Sequence, residues 1–279
     1  MSENDQHAEI VEVRTGLAIP GQERPERLYV IPVNNRPFFP AQVLPIIVNE
    51  EPWDETLRRV GNTSHRSLAL FFVESDEPLD ALDPASLPEH GTLVRVHHAS
   101  KENGRLQFIA QGLTRVRIRG WLSRKPPYLI EVDYPAEVED ASDEVKAYGM
   151  ALINAIRELL PLNPLYSEEL KNYLNRFSPN QPSPLTDFAA ALTSAPGHEL
   201  QDVLDCVPIL RRMEKVLPLL RKEVEVARLQ QELSAEVNRK IGERQREFFL
   251  REQLKVIQQE LGIVKDDKSA DADEFRARL

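Results

Sequence analysis

Six histidines, one cysteine and 45 acidic residues are the groups in this chain that could do acid–base, nucleophilic or metal chemistry. A metal site needs three or four Cys, His or carboxylate ligands converging on one point. His97 and His98 are neighbours on a predicted strand, so their rings face opposite sides, and no other His or Cys is spaced to complete a set. Cys206 lacks an accompanying histidine pattern and reads as a helix packing residue rather than a nucleophile. General acid–base work needs two carboxylates at a fixed separation in a cleft. The acids here are scattered, and read as solvated surface. Arg115, Arg117 and Arg119 alternate with Val116 and Ile118, with Arg124 and Lys125 nearby. That alternation places the three arginines on one sheet face. It reads first as a solvated strand face, and second as a basic strip for nucleic acid or acidic peptides.

With no catalytic constellation, the large apolar groups beside turns carry the functional reading. Phe38 and Phe39 lie in the turn-rich stretch NNRPFFP, and Pro52 and Trp53 open a helix. Core packing is the default for the two phenylalanines, and partial exposure is expected for Trp53. Together Phe38, Phe39, Pro52 and Trp53 are the candidate contacts for exposed apolar segments of another, unfolded chain. A second set, Phe248, Phe249, Leu250, Leu254, Ile257 and Leu261, lies near the end of the chain. Its last four members follow a 4-3-4 spacing, a coiled-coil seam suited to association with a partner helix.

These groups must be held by two kinds of element. LYVIPV (Leu28 to Val33), VLPIIV (Val43 to Val48) and SLALFFV (Ser67 to Val73) are short apolar runs of strand type. Pro45 marks the second as an edge strand or a bulge. Glu50 to Val60 reads as a helix with acids at its start. TLVRVHHA, RLQFIAQG, LTRVRIRGW and KPPYLIEVDY alternate at period two, with KENG (Lys101 to Gly104) as an Asn-Gly hairpin turn. The result is a compact sheet or partly open barrel without βαβ alternation. From Ala136 the pattern is helical: Asp143 to Leu160, Ser167 to Phe177, SPLTDFAAALTS and HELQDVLDCV. Pro208 to Leu261 is one long helix. From Pro218 onward it would run roughly 66 Å at 1.5 Å per residue, so it must project beyond the body that anchors it. A kink is expected at Pro218. The polar stretch Asn238 to Glu247, around Gly242, is expected to act as a flexible joint.

Composition sets the outer limits. The chain has 279 residues, 41% hydrophobic and 29% charged, with a net charge of −10. That is an ordinary soluble balance, and the charge argues against nucleic acid as the main partner. A single cysteine fits a reducing cytoplasm, and no run approaches the roughly 20 apolar residues of a membrane span. The division expected is a flexible tail (1–27), a β-rich recognition domain (28–135), a helical domain (136–207), a helix arm (208–262) and a linker (263–279).

QREFFLREQLKVIQQELG, Gln245 to Gly262, resembles the segment just before the ATPase module of the ATP-dependent Lon proteases. LYVIPVNNRPFFPAQVLPIIVNE resembles that family's opening pattern. GTLVRVHHASKENGRLQFIAQGLTRVRI resembles its central hairpin, with a Gly-Leu-x-Arg turn at Gly112 to Arg115; PLTDFAAAL and RKEVEVARLQQEL agree too. The resemblance implies an α+β architecture, with a small PUA-like β-barrel domain followed by an α-helical bundle and one long projecting helix. It implies a non-catalytic amino-terminal region, ending before the ATPase, that captures misfolded or degron-bearing proteins and helps to hold a hexameric ring. In that family ATP and Mg serve the ATPase module, and a Ser-Lys dyad serves the protease module. This sequence contains no G-x-x-x-x-G-K-[ST], so no cofactor, metal or catalytic residue is assigned here. The isolated chain is expected to dimerise through Phe249, Leu250, Leu254 and Ile257. The alternative is a stand-alone β-domain adaptor for peptides or RNA.

Overall fold

The computed structural model of the chain describes residues 24–75, 79, 83–137, 140–162 and 181–261. The apolar runs become β1 (Arg27–Val33), β2 (Val43–Asn49) and β3 (Ser67–Phe72), with α1 (Glu50–Gly61) between the last two. The alternating segments become β4 (His90–Glu102), β5 (Arg105–Ser123) and β6 (Tyr128–Asp133). The sheet order is β2-β5-β4-β3-β1-β6, and β6 also pairs with β5. Five strands therefore close into a small barrel, and among the described strands β2 pairs with β5 alone. Among the described strands, β1 and β3 are the one parallel pair. Pro45 sits in this edge strand, the place where a missing amide donor is tolerated.

The Asn-Gly turn is a two-residue hairpin, with φ of 52° at Asn103 and 74° at Gly104 and Glu102 paired with Arg105. Both left-handed angles are those of the turn that matches strand twist. The stretch Arg105 to Trp121, read as two runs with a turn at Gly112, lies in one strand of 19 residues, Arg105–Ser123. Gly112 lies within it, where the loop after β1 crosses: a Cβ there would lie 2.5 Å from the Phe39 carbonyl oxygen. Bulges between Leu93 and Val94, and between His97 and Ser100, bend β4 around the barrel. His98, at φ 45°, belongs to the second bulge, so strict alternation does not hold at the histidine pair. His97 Nε2 instead lies 2.9 Å from Gln111 Oε1 on β5.

The helical unit begins with α2 (Asp143–Leu159), whose N-cap Ser142 accepts from the Val145 amide. It continues with α3 (Pro182–Leu192) and α4 (Gly197–Leu204). The helix expected over Ser167 to Phe177 lies outside the described residues. The last element is α5 (Ile209–Glu260), 52 residues long. Its residues Ile209, Met213, Val216, Leu217, Leu220, Val224 and Ala227 form one buried stripe against α2, α3 and α4. Pro218 lies inside α5, which runs through it as one helix. Val216, Leu217 and Leu220 are all held in the core on either side, which offsets the single missing amide donor. Gly242 is likewise inside the continuous helix.

Two cores result. The barrel core holds Leu28, Ile31, Phe71, Phe108 and Ile130. The helical core is built around Leu152, Ile156, Leu185, Met213 and Leu220. Consecutive phenylalanines divide between them: Phe38 fills the barrel and Phe39 the helical core.

Candidate functional site

The surface least like the rest of the chain is β2. Its seven residues, VLPIIVN, carry no charge. Val43 is 58% exposed and Ile47 57%, and Leu44 is exposed as well. The cause is local. Val48 points into the barrel core, and successive strand residues alternate in direction, so Val43, Pro45 and Ile47 face outward. On β5 they lie opposite Gln111, Ile109 and Gln107, neutral residues again. Beside this strip is a shallow depression of about 380 Å³ lined by Ile47, Glu102, Asn103, Arg105 and Gln107. Contiguous exposed aliphatic surface on a rigid barrel is a binding feature by default.

The aromatic residues singled out as substrate contacts are placed elsewhere. Trp53 is only 2% exposed. Its ring sits 5.9 Å from that of Tyr128 on β6, which also takes the edge of Trp121. Helical backbone angles start only after Glu51 and Pro52, and the first turned residue points into the barrel rather than away from it. Phe38 and Phe39 are buried as well. None of these three rings can meet a ligand without leaving a core, and Pro52 is only partly exposed. Phe248, Phe249, Leu250, Leu254, Ile257 and Leu261 are all more than half exposed. They stand on the part of α5 that has left the helical core, Leu261 as its C-cap.

The arginine row divides. Arg117 and Arg119 are exposed, and Arg117 Nη2 bonds Asp133 at 3.3 Å. Arg115, expected on a solvated face, is 2% exposed because the helical unit covers that part of β5. Its guanidinium grips Asp187 of α3 through both terminal nitrogens, at 2.7 and 2.5 Å, and Nε donates to the Leu204 carbonyl at 3.0 Å. Arg212 of α5, fully buried, donates to the same Asp187 at 3.2 Å and to Glu137 at 3.1 Å. Two cations and two carboxylates thus join barrel and helices. Burial alone would lower the Arg115 pKa; the Asp187 charge and hydrogen bonds, with Glu137 behind, more than offset it and leave it above the ordinary value. Around this cluster His90 approaches Asp205 at 3.2 Å, and Arg36 donates to the Ala191 and Thr193 carbonyls. Sequence reasoning missed the cluster, though two signals were present. Asp187 is an acid inside the apolar run LTDFAAAL, and Arg212 lies four residues before Val216, on the buried stripe.

No group of three or more metal-ligating side chains occurs among the described residues, and no described helix is long and apolar enough to cross a membrane.

A six-stranded β unit welded to a helical bundle with a projecting helix is an architecture found among solved structures. The N-terminal domain of a Mycobacterium avium complex Lon protease superposes with a TM-score of 0.56 at 18% identity, over 70% of this chain and 97% of that one. At that identity the likeness speaks for the fold. The sequence speaks for the family: the description "ATP-dependent protease La (LON) substrate-binding domain" matches residues 27–222, and the chain belongs to that family. It is 44% identical over 277 residues to Lon protease 2 of Hydrogenovibrio crunogenus, covering 99% of this chain and 31% of that protein. It is 41% identical over 260 residues to Lon protease of Magnetococcus marinus, covering 91% of this chain and 32% of that protein. The chain thus spans about a third of the length of these relatives.

Proposed function

We propose that this chain recognises protein substrates for an ATP-dependent Lon protease and brings copies of itself together, and that it contributes no catalytic residue. One observation carries the reading: an uncharged, aliphatic, outward-facing strip sits on a closed barrel that is locked to a long helix. Misfolded and degron-bearing chains expose apolar segments, and the strip offers them a surface without charge to desolvate. ATP and Mg belong to the chemistry of the whole enzyme rather than to these residues, and the cytoplasm is the compartment that suits the reading. The arm beyond Arg228 supplies self-association, a dimer in isolation and a hexamer in the whole enzyme. Weak single contacts then suffice, because several copies raise the effective concentration of sites.

The recognition half is tested by binding to a fluorescently labelled, permanently unfolded model protein. The double substitution Val43→Glu/Ile47→Glu should abolish binding while leaving the unfolding midpoint close to that of the parent, since both side chains are exposed. Retained binding would overturn the assignment. The association half is tested by sedimentation velocity: Leu254→Glu should leave a monomer at concentrations where the parent dimerises, and a parent that stays monomeric would refute it.

A further inference from the structure

We infer that the free edge of β2 takes up an extended, uncharged segment of the protein substrate as an added strand, held by main-chain hydrogen bonds as well as by apolar contact. The inference rests on the recognition reading above and specifies its mode.

The register decides which groups are free. Gly112 N donates to Gln42 O at 2.8 Å at one end of β2, and Glu50 N donates to Gly104 O at 2.9 Å at the other. In an antiparallel pair every second residue exchanges both its bonds with the partner. Leu44, Ile46 and Val48 therefore turn their N–H and C=O groups towards β5. Val43, Pro45, Ile47 and Asn49 turn theirs away, and no described strand pairs with that side of β2. The outward ladder offers the amides of Val43, Ile47 and Asn49 and the carbonyls of all four. Pro45 occupies one of the outward positions, which is why β5 pairing survives it.

Pro45 also selects the occupant. A second copy pairing antiparallel about Ile46, the middle of β2, would set each proline against the other strand's Ile47 and lose a donor on both strands. An unrelated segment can choose the register that leaves one gap only. The strip carries no charge from Gln42 to Asn49 and shows aliphatic side chains on both faces, Leu44 on one and Val43 and Ile47 on the other. The segment that fits is extended, β-branched and uncharged, as in the recognition mode in which a peptide completes a sheet edge. The gap at Pro45 keeps the hold loose, so a bound segment can be released onward.

The test uses the full chain and a labelled nonapeptide of alternating threonine and valine, read by fluorescence anisotropy. N-methylation of alternate amides along one edge of the peptide should weaken binding about tenfold or more, the size expected from losing two or more hydrogen bonds at once. Methylation along the other edge should leave binding unchanged. Pro45→Thr, which restores the missing donor, should tighten binding about threefold or more. Equal affinity for parent and both methylated peptides would overturn strand addition while leaving apolar recognition standing. Failure of the parent peptide to bind, with the unfolded protein still captured through Val43 and Ile47, would also overturn it. Loss of binding by every probe, the unfolded protein included, would instead sink the recognition reading itself. A concentration-dependent dimer that Ile47→Lys abolishes would assign the edge to a second copy and refute the proposal.

Discussion

Asp187→Ala is the substitution that most directly probes how the barrel and the helices are joined. It removes the carboxylate shared by Arg115 and Arg212 and leaves two buried guanidinium groups. Their remaining anionic partner among the described residues is Glu137, whose side chain is 40% exposed. Removing one member of a buried ion pair typically costs 3–5 kcal/mol, because the other charge stays buried without compensation. For a folded body of this size that corresponds to a fall in melting temperature on the order of 6–20 °C, at about 2–4 °C per kcal/mol. Arg228→Ala is the control. It breaks the exposed Arg228–Glu158 pair at 3.0 Å, an interaction worth at most about 1 kcal/mol. The assay is urea unfolding followed by tryptophan fluorescence, which reports on the barrel through Trp53 and Trp121, and by helical circular dichroism. In the parent the two probes should report one transition. In Asp187→Ala the transition should move to lower urea and the probes should separate, with barrel and helices unfolding independently. Adding Arg115→Met should recover part of the loss, since the stranded charge is then gone. A loss below about 1 kcal/mol, with coincident probes, would show that the cluster does not hold the two units together.

The remaining predictions address single positions. Burial pushes the Tyr134 hydroxyl up to about 12, against a smaller pull downwards from Arg24, and the protonated group donates to the Pro25 carbonyl at 2.7 Å. Its contribution is therefore fully present below about pH 10, the ordinary tyrosine value. It is lost as pH rises towards 12, and unfolding midpoints across that window should fall more steeply for the parent than for Tyr134→Phe. Gly112→Ala should destabilise the chain by about 1–3 kcal/mol, the usual scale for overpacking, because its methyl would meet the Phe39 carbonyl; chemical denaturation checks it. Gly242→Ala should stabilise the arm by roughly 0.5–1 kcal/mol, as nothing lies within 4 Å of the added Cβ. Hydrogen exchange across residues 238–247 should slow accordingly, and unchanged exchange would remove Gly242 as a point of flexibility.

Much of the architecture could be read from periodicity, since that signal is local. Helix 143–160 appears as Asp143–Leu159, and the long helix 208–261 as Ile209–Glu260. The Asn-Gly turn follows from backbone chemistry alone, and of the edge or bulge that Pro45 allowed, the pairing order shows the edge. What escaped the sequence is what a second layer does to a face. Alternation correctly separates Arg115 from Val116, but it is silent on whether solvent or α3 lies over that face. Trp53 illustrates the same limit, because a residue at a helix start can turn either way and the neighbouring barrel settles the matter. The strip on β2 was legible as an apolar strand, but its exposure depends on the sheet ending there. That is a property of pairing order, set by residues as distant as Arg105 to Gln111.

On the proposed function, recognition and assembly are coupled because one helix serves two environments. Up to Ala227, α5 is part of the helical core; from Arg228 to Glu260 nearly every residue is exposed, a further length of roughly 50 Å at 1.5 Å per residue. Arg212 lies in the anchored part and holds Asp187, which holds Arg115 of β5, and among the described strands β5 is the one that carries β2. The path from arm to strip therefore runs through one helix, one buried ion cluster and one strand, with no loop in series. A body connected in that way transmits orientation from the anchored part of α5 to the β2 edge. It follows that Asp187→Ala should weaken delivery of a substrate more than its capture. Binding of the unfolded probe needs only an intact barrel, whereas presenting it in a fixed direction needs the weld. On the proposed function, a full-length Lon protease built on this chain would separate the two steps. Substrate affinity should stay within about twofold of the parent while degradation of the same substrate slows severalfold, and a parallel loss of both would show that the barrel itself depends on Asp187.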